Sequence, residues 1–241
     1  IFLLVTSLSV YFAGVMIGKI NEDFENKSKD LNRAEKKDLR NKRNSKKKLV
    51  LVIILILNFA ILFYFKYFNS IIYRINNALD YERFSPLELI VPLGISFYTF
   101  QAIGYLIDVY RGKYKEEKSY PKLLLFLSYF PQMIQGPIGR YDDLSPQLFS
   151  HHKFNFERFV SGFQLVLWGY FKKLVIADGL VKIINPILDS PDVYKGFYIF
   201  GAIFLYSIQI YCDFSGGIDV VRGISEILGI ELAVNFERPF F

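Results

Sequence analysis

Cysteine, histidine and tryptophan are nearly missing from this chain. The single cysteine, Cys212, excludes a disulfide framework and any cysteine-based metal site, and reads as a small packed residue. The two histidines, His151 and His152, stand together in HHKFNFERF with no Asp, Glu or Cys at ligand spacing, so they read as loop residues. They also lie far along the chain from the carboxylates of the C-terminal third, which leaves no nucleophile–histidine–acid set complete. Glycine-rich phosphate loops and dinucleotide fingerprints are missing too, and no metal or bound cofactor is expected.

What is present is oil and aromatic rings. Of 241 residues, 52% are apolar and 18% aromatic, with 22% charged, and the mean hydropathy is +0.26. That is too hydrophobic for an ordinary soluble domain and too charged for membrane helices alone. The expected fold is all-α, a polytopic transmembrane bundle with re-entrant or irregular segments, forming one integral-membrane domain over 1–241. The chain opens at Ile1 inside an apolar run and closes at Phe241 inside a motif-like block, so an internal portion of a longer protein is expected.

The net charge of +6 is local. Lys19 to Lys48 carries twelve Lys or Arg against six Asp or Glu, and the other seventeen bases balance seventeen acids. A basic segment between apolar spans is the positive-inside signature, so 19–48 reads as a cytoplasmic loop, with a lipid-headgroup or partner site as the alternative. A nucleic-acid partner is not expected.

In chain order, Ile1 to Gly18 reads as the end of a first span. Leu49 to Phe65, with one Asn58, reads as a second, edged by Tyr67 and Phe68. Asn69 to Pro86 is a mixed external loop whose charges, Arg74, Asp80, Glu82 and Arg83, cancel. Leu87 to Val109 is a third span, and its Ser96, Thr99, Gln101 and Gly104 predict burial among other helices. Leu123 to Ile134, short and holding Pro131, suggests a re-entrant segment. QGPIGRYDDLSPQL after it cannot continue a helix, and irregular backbone at membrane depth needs protein or a water-filled cavity beside it. Phe156 to Leu188 is helical, and Lys172, Lys173, Asp178 and Lys182 interrupt its apolar face, so one end is expected at the inner interface, where lysines snorkel. Asn185, Pro186, Pro191 and Asp192 form a turn, and Tyr194 to Cys212 is the next span.

That last span turns polar early. Asp213, Ser215, Gly216, Gly217, Asp219 and Arg222 arrive within ten positions of its apolar run, and each ionisable group at bilayer depth costs about 2.5–3.5 kcal/mol on insertion scales. Ser215 with the glycine pair predicts a helix break, with Asp219 in the first turn of a new helix, where the dipole favours a carboxylate. Asp219, Arg222 and Glu226 would share a face. Two readings stand: an ion-pair cluster that locks helices together, or the polar lining of a substrate passage.

Five blocks in order, PLGISFYTFQAIGYLIDVYRG at 92–112, LSYFPQMIQGPIGRYDDL at 127–144, FKKLVIAD at 171–178, QIYCDFSGGIDVVRGI at 209–224 and NFERPFF at 235–241, resemble the membrane-bound O-acyltransferase family, in its bacterial branch of polysaccharide and alginate O-acetylation. The likeness covers 92–241. Where many relatives read FDFSGYSD, this chain places Gly217 and Ile218 at the aromatic and the serine.

The resemblance implies an O-acyltransferase, most simply an O-acetyltransferase, of the bacterial inner membrane. It would pass an acyl group from acetyl-CoA or an acyl-carrier thioester across the membrane lipid to a hydroxyl of a cell-surface polysaccharide, by way of an extracytoplasmic acetyltransferase partner. The family's essential histidine belongs to a WHxS-like motif beyond Phe241, so no catalytic role falls on His151 or His152, and residues 1–241 alone are expected to be inactive. The passage walls would be Gln135, Gly136, Pro137 and Arg140 on one side and Asp213, Ser215 and Asp219 on the other. D-alanyl transfer to teichoic acid is the alternative inside the family. A transporter or channel is the alternative outside it, which would call for an inverted repeat of spans, and none is visible.

Overall fold

The computed structural model describes residues 2–29, 31–79, 87 and 91–236. Among them the chain is all α, and four helices are long and apolar enough to cross a membrane: Phe2–Lys27, Arg33–Ala78, Phe156–Leu188 and Phe197–Ile227. Their outer faces keep large apolar side chains exposed, among them Ile53, Ile56, Phe63, Phe197, Phe200 and Phe204. Such surfaces are stable against lipid rather than water, and the chain is a multi-pass membrane protein.

Two compact units divide the chain, residues 1–129 with 140–142, and 130–139 with 143–241. In the first, α1 (Phe2–Lys27) and α2 (Arg33–Leu79) pack as a hairpin beside α3 (Ile95–Arg111) and α4 (Tyr120–Leu127). At 1.5 Å per residue the 47-residue α2 is about 70 Å long, more than twice a bilayer's hydrocarbon thickness. Its charged first third therefore projects beyond the apolar part. Asn58, the one polar residue of the apolar run, is buried on α1, donating from Nδ2 to Ser9 Oγ at 3.0 Å and to the Ile54 carbonyl at 2.9 Å.

Several boundaries differ from the sequence expectation. The basic stretch 19–48 is largely helical rather than a loop, because α1 runs on to Lys27 and α2 begins at Arg33. Its Lys, Arg and Glu are good helix formers, and charge does not oppose helix where water is at hand. α2 also continues through Asn69 to Leu79, where a loop was expected, while Asp80, Glu82, Arg83 and Pro86 lie outside the described residues. The third span opens late, at Ile95, after Gly94 takes a left-handed φ of 72°. Residues 88–90 of that expected span are outside the described residues, as are 237–241 of the NFERPFF block. Burial of α3 holds at two of the four residues it was read from: Thr99 and Gln101 are buried, Gln101 Nε2 donating to the Phe126 carbonyl at 3.1 Å, whereas Ser96 is half-buried and Gly104 is exposed.

In the second unit, α5 (Phe130–Gln135) follows α4 as another short piece, and neither is long enough to cross. The irregular stretch ends sooner than expected, since α6 (Tyr141–Leu148) is helical even with Pro146 in it. α7 (Phe156–Tyr170) starts at an Asn155 cap whose Oδ1 accepts from the Arg158 backbone N–H at 3.1 Å. It passes into a π-helical segment, Phe171–Ala177, and then α8 (Asp178–Leu188). Asn185 and Pro186 stay helical, so the expected turn falls after Leu188. α9 is a single helix, Phe197–Ile227, that packs on α5, α7, the π segment and α8.

Candidate functional site

The helix break expected at Ser215 does not occur. Gly216 and Gly217 sit inside α9, where they allow close approach instead of a turn. Two glycines of α7, Gly162 and Gly169, face two of α9, Gly223 and Gly216. A Cβ at Gly169 would fall 2.6 Å from the Gly216 carbonyl oxygen, and one at Gly216 would fall 2.7 Å from that of Gly169. Both pairs are seven residues, about two turns, apart, and the reversed order makes α7 and α9 antiparallel. Small residues at this spacing let backbones meet inside a membrane, where packing rather than hydrophobicity drives association.

Beyond the Gly169–Gly216 contact the π segment begins. A π turn holds more residues than an α turn and is common at functional sites. Here it lets two consecutive lysines address one neighbour. Lys172 Nζ lies 2.6 Å from Asp219 Oδ2 and donates to Ser215 Oγ at 3.1 Å. Lys173 pairs with Asp213, and Arg222 Nη1 lies 3.4 Å from Asp219 Oδ1. The expected snorkelling of Lys172 is thus overturned. Its side chain is only 10% exposed because Asp219 and Ser215 supply inside the protein the partners that an interface would otherwise offer.

Asp219 is likewise not in a first helical turn. It sits mid-helix, its charge met by Lys172 and Arg222 rather than by a dipole. The expected shared face of Asp219 and Arg222 is real. Arg222 Nε is buried and has no partner among the described residues. The two ion pairs differ in openness. Lys172 and Asp219 are 10% and 15% exposed, whereas Lys173 and Asp213 are 35% and 39% exposed. The first pair is sealed in the helix contact, and the second opens outward.

The other wall is partly assembled by the same unit. Gln135, at the end of α5, presses on α9: a Cβ on Gly217 would fall 2.3 Å from Gln135 Oε1. The space an aromatic residue would need at that position is thus taken by the Gln135 amide in this chain. Gly136 and Pro137 are buried, and Gly136 stacks on Gln132. Arg140 is exposed and falls in the first unit with Tyr141 and Asp142, so it is not among the groups that the second unit gathers. His152 is tied into the 147–152 turn, its Nε2 2.7 Å from the Gln147 carbonyl, as a loop residue would be. Sequence reasoning missed the pairing of Lys172 and Lys173 with α9; FKKLVIAD beside a polar α9 was the available signal.

Several known proteins are similar to this chain in sequence. The probable alginate O-acetylase AlgI of Azotobacter vinelandii is 34% identical over 188 residues, 77% of this chain and 37% of that protein. The peptidoglycan O-acetyltransferase of Helicobacter pylori is 33% identical over 223 residues, 82% of this chain and 42% of that protein. The teichoic acid D-alanyltransferase of Bacillus subtilis is 26% identical over 162 residues, 64% of this chain and 40% of that protein. No family model matches the chain. These relatives support the likeness to the membrane-bound O-acyltransferase family. The chain spans about two fifths of the length of these relatives.

Proposed function

We propose that the intact protein is a membrane-bound O-acetyltransferase of the bacterial inner membrane that acetylates a cell-surface polysaccharide. One observation carries the reading: four ionised groups, Lys172, Lys173, Asp213 and Asp219, are held between apolar helices of a chain whose relatives at 33–34% identity are O-acetylating proteins. Ion pairs at such depth are kept for a task or for scaffolding, and the difference in exposure divides the two roles. Lys172, Ser215 and Asp219 clamp α9 to the π segment. Lys173 and Asp213, with Gln135, Gly136 and Pro137, face the route of the acyl group.

The donor is an acetyl thioester, acetyl-CoA or an acyl carrier, on the cytoplasmic side. An acceptor hydroxyl on the outer side, offered directly or through an extracytoplasmic acetyltransferase, attacks the acyl carbonyl. A neutral histidine imidazole from outside residues 1–241 takes the hydroxyl proton, the C–S bond breaks, and the thiolate leaves with that proton. D-alanyl transfer is the second reading within the family, supported by the Bacillus subtilis relative at its lower 26% identity.

Membranes bearing the full-length protein, offered radiolabelled acetyl and D-alanyl donors in parallel, test the proposal. Label in polysaccharide from the acetyl donor only is the expected result. Label from neither, at normal membrane abundance, would overturn it.

A further inference from the structure

The second cluster of charge that function has not absorbed is in the first unit, where the ends of α1, α2 and α3 enclose a cavity of about 530 Å³. Six cationic side chains line it: Arg43, Lys47, Arg111, Lys113, Lys115 and Lys118. Three carboxylates, Glu22, Glu25 and Glu116, face them. Glu22 is already held by Lys118 at 3.3 Å, and Lys113 is held by Asp142 at 2.5 Å. Arg43, Lys47, Arg111 and Lys115 make no ion pair among the described residues.

Lys47 is the telling member. It is 7% exposed, and its one described partner is the ring of Tyr110, whose centroid lies 5.3 Å from Nζ. A buried ammonium without a carboxylate is costly, and an aromatic face offsets only part of that cost. Arg43 is placed alike, over the Phe24 ring at 4.3 Å, its guanidinium hydrogen-bonded among the described residues to Asn44 Oδ1 at 3.0 and 3.2 Å. Two cations packed on rings, in no ion pair among the described residues and in a concave site where six bases outnumber three carboxylates, form a field that a multiply charged anion would relieve.

We propose that this cavity binds a phosphorylated ligand through Lys47 and Arg43, with Arg111 and Lys115 at its mouth. Its volume admits at least two phosphate groups. The shared chemistry is the phosphate oxygen, borne either by a soluble phosphate ester or by an anionic phospholipid headgroup. The site lies in a different unit from Lys173 and Asp213, and the proposal stands independently of acetyl transfer.

Full-length protein in phosphatidylcholine nanodiscs is titrated with pyrophosphate by calorimetry, wild type beside Lys47→Met, Lys115→Gln and the distant charge control Lys195→Gln. Parallel discs contain phosphatidylglycerol, and native mass spectrometry reads the retained lipid. For a soluble ester, pyrophosphate binding saturates, weakens at least tenfold in Lys47→Met and several-fold in Lys115→Gln, and holds in Lys195→Gln. For a headgroup, phosphatidylglycerol abolishes pyrophosphate binding, and lipid retained by wild type is lost from both cavity variants. Lys115 is exposed, so its variant is informative even where Lys47→Met misfolds. Equal binding in wild type and the cavity variants, or no binding of either probe, overturns the proposal. Binding rather than turnover is measured, so failure here is distinct from failure of the acetyl-transfer reading.

Discussion

Gly162 of α7 and Gly223 of α9 touch so closely that a Cβ on either would fall 2.6 or 2.5 Å from the other's carbonyl oxygen. With the Gly169–Gly216 pair two turns away, this contact sets the distance between the helices that carry the polar cluster.

Gly162→Ala and Gly169→Ala should each destabilise by about 1–3 kcal/mol, the range for overpacking, because the added methyl meets backbone that cannot swing aside. Gly179→Ala, in α8 with open space around it, should be neutral or stabilise by up to about 1 kcal/mol through helix propensity. Thermal unfolding in detergent would distinguish them. Equal midpoints for Gly169→Ala and Gly179→Ala would remove the close-contact account.

Breaking the sealed pair should cost far more than replacing it. Asp219→Asn alone leaves the buried Lys172 without its carboxylate, which costs roughly 3–5 kcal/mol, whereas Lys172→Met leaves Asp219 its Arg222 partner and should cost less, and adding Lys172→Met to Asp219→Asn should recover part of the loss. A double-mutant cycle on membrane abundance and unfolding midpoint measures the coupling. Additive losses would mean the two groups are not partners.

The open pair should behave the other way. Lys173 and Asp213 are each more than a third exposed, so Asp213→Asn should change stability by less than about 1 kcal/mol. Acetyl transfer by the full-length protein should nonetheless fall at least tenfold at matched abundance. Full activity in Asp213→Asn would take this residue out of the passage.

Gly217→Ala should lose stability through its clash with the Gln135 amide, and Gln135→Ala in the same chain should restore part of it, since the blocking group is a side-chain end rather than backbone. Unfolding midpoints of the two singles and the double settle this. No recovery in the double variant would show that α5 does not fill the space beside Gly217.

Asp142 gives a pH signature. The Lys113 ammonium at 2.5 Å holds its carboxyl below the usual carboxylate range. A depressed folded value means stability that is present above the unfolded pKa of about 3.9 and lost as pH falls through the lower folded one. Wild type should therefore exceed Asp142→Asn in unfolding midpoint by a small margin at pH 6, both side chains being about a third exposed, and the margin should shrink as pH falls below the unfolded value. A margin that grows on acidification would contradict the pairing.

Much of this protein was legible from residue order alone. Long apolar runs in α1, α2 and α9 demanded helices in lipid, since backbone in hydrocarbon must bond to itself. The excess of Lys and Arg in 19–48 and the late polar turn of α9 were equally plain, as was burial of α3 from its Thr99 and Gln101. What residue order left open was the use of groups with more than one physical outlet. Glycine serves a break or a close contact equally well, and Gly216 took the contact because Gly169 was there to meet it. A lysine near an apolar helix can reach for water or for a carboxylate. Lys172 found Asp219, 47 residues away in the chain, because the π segment turned it inward, and only the packing of α9 against that segment could decide so.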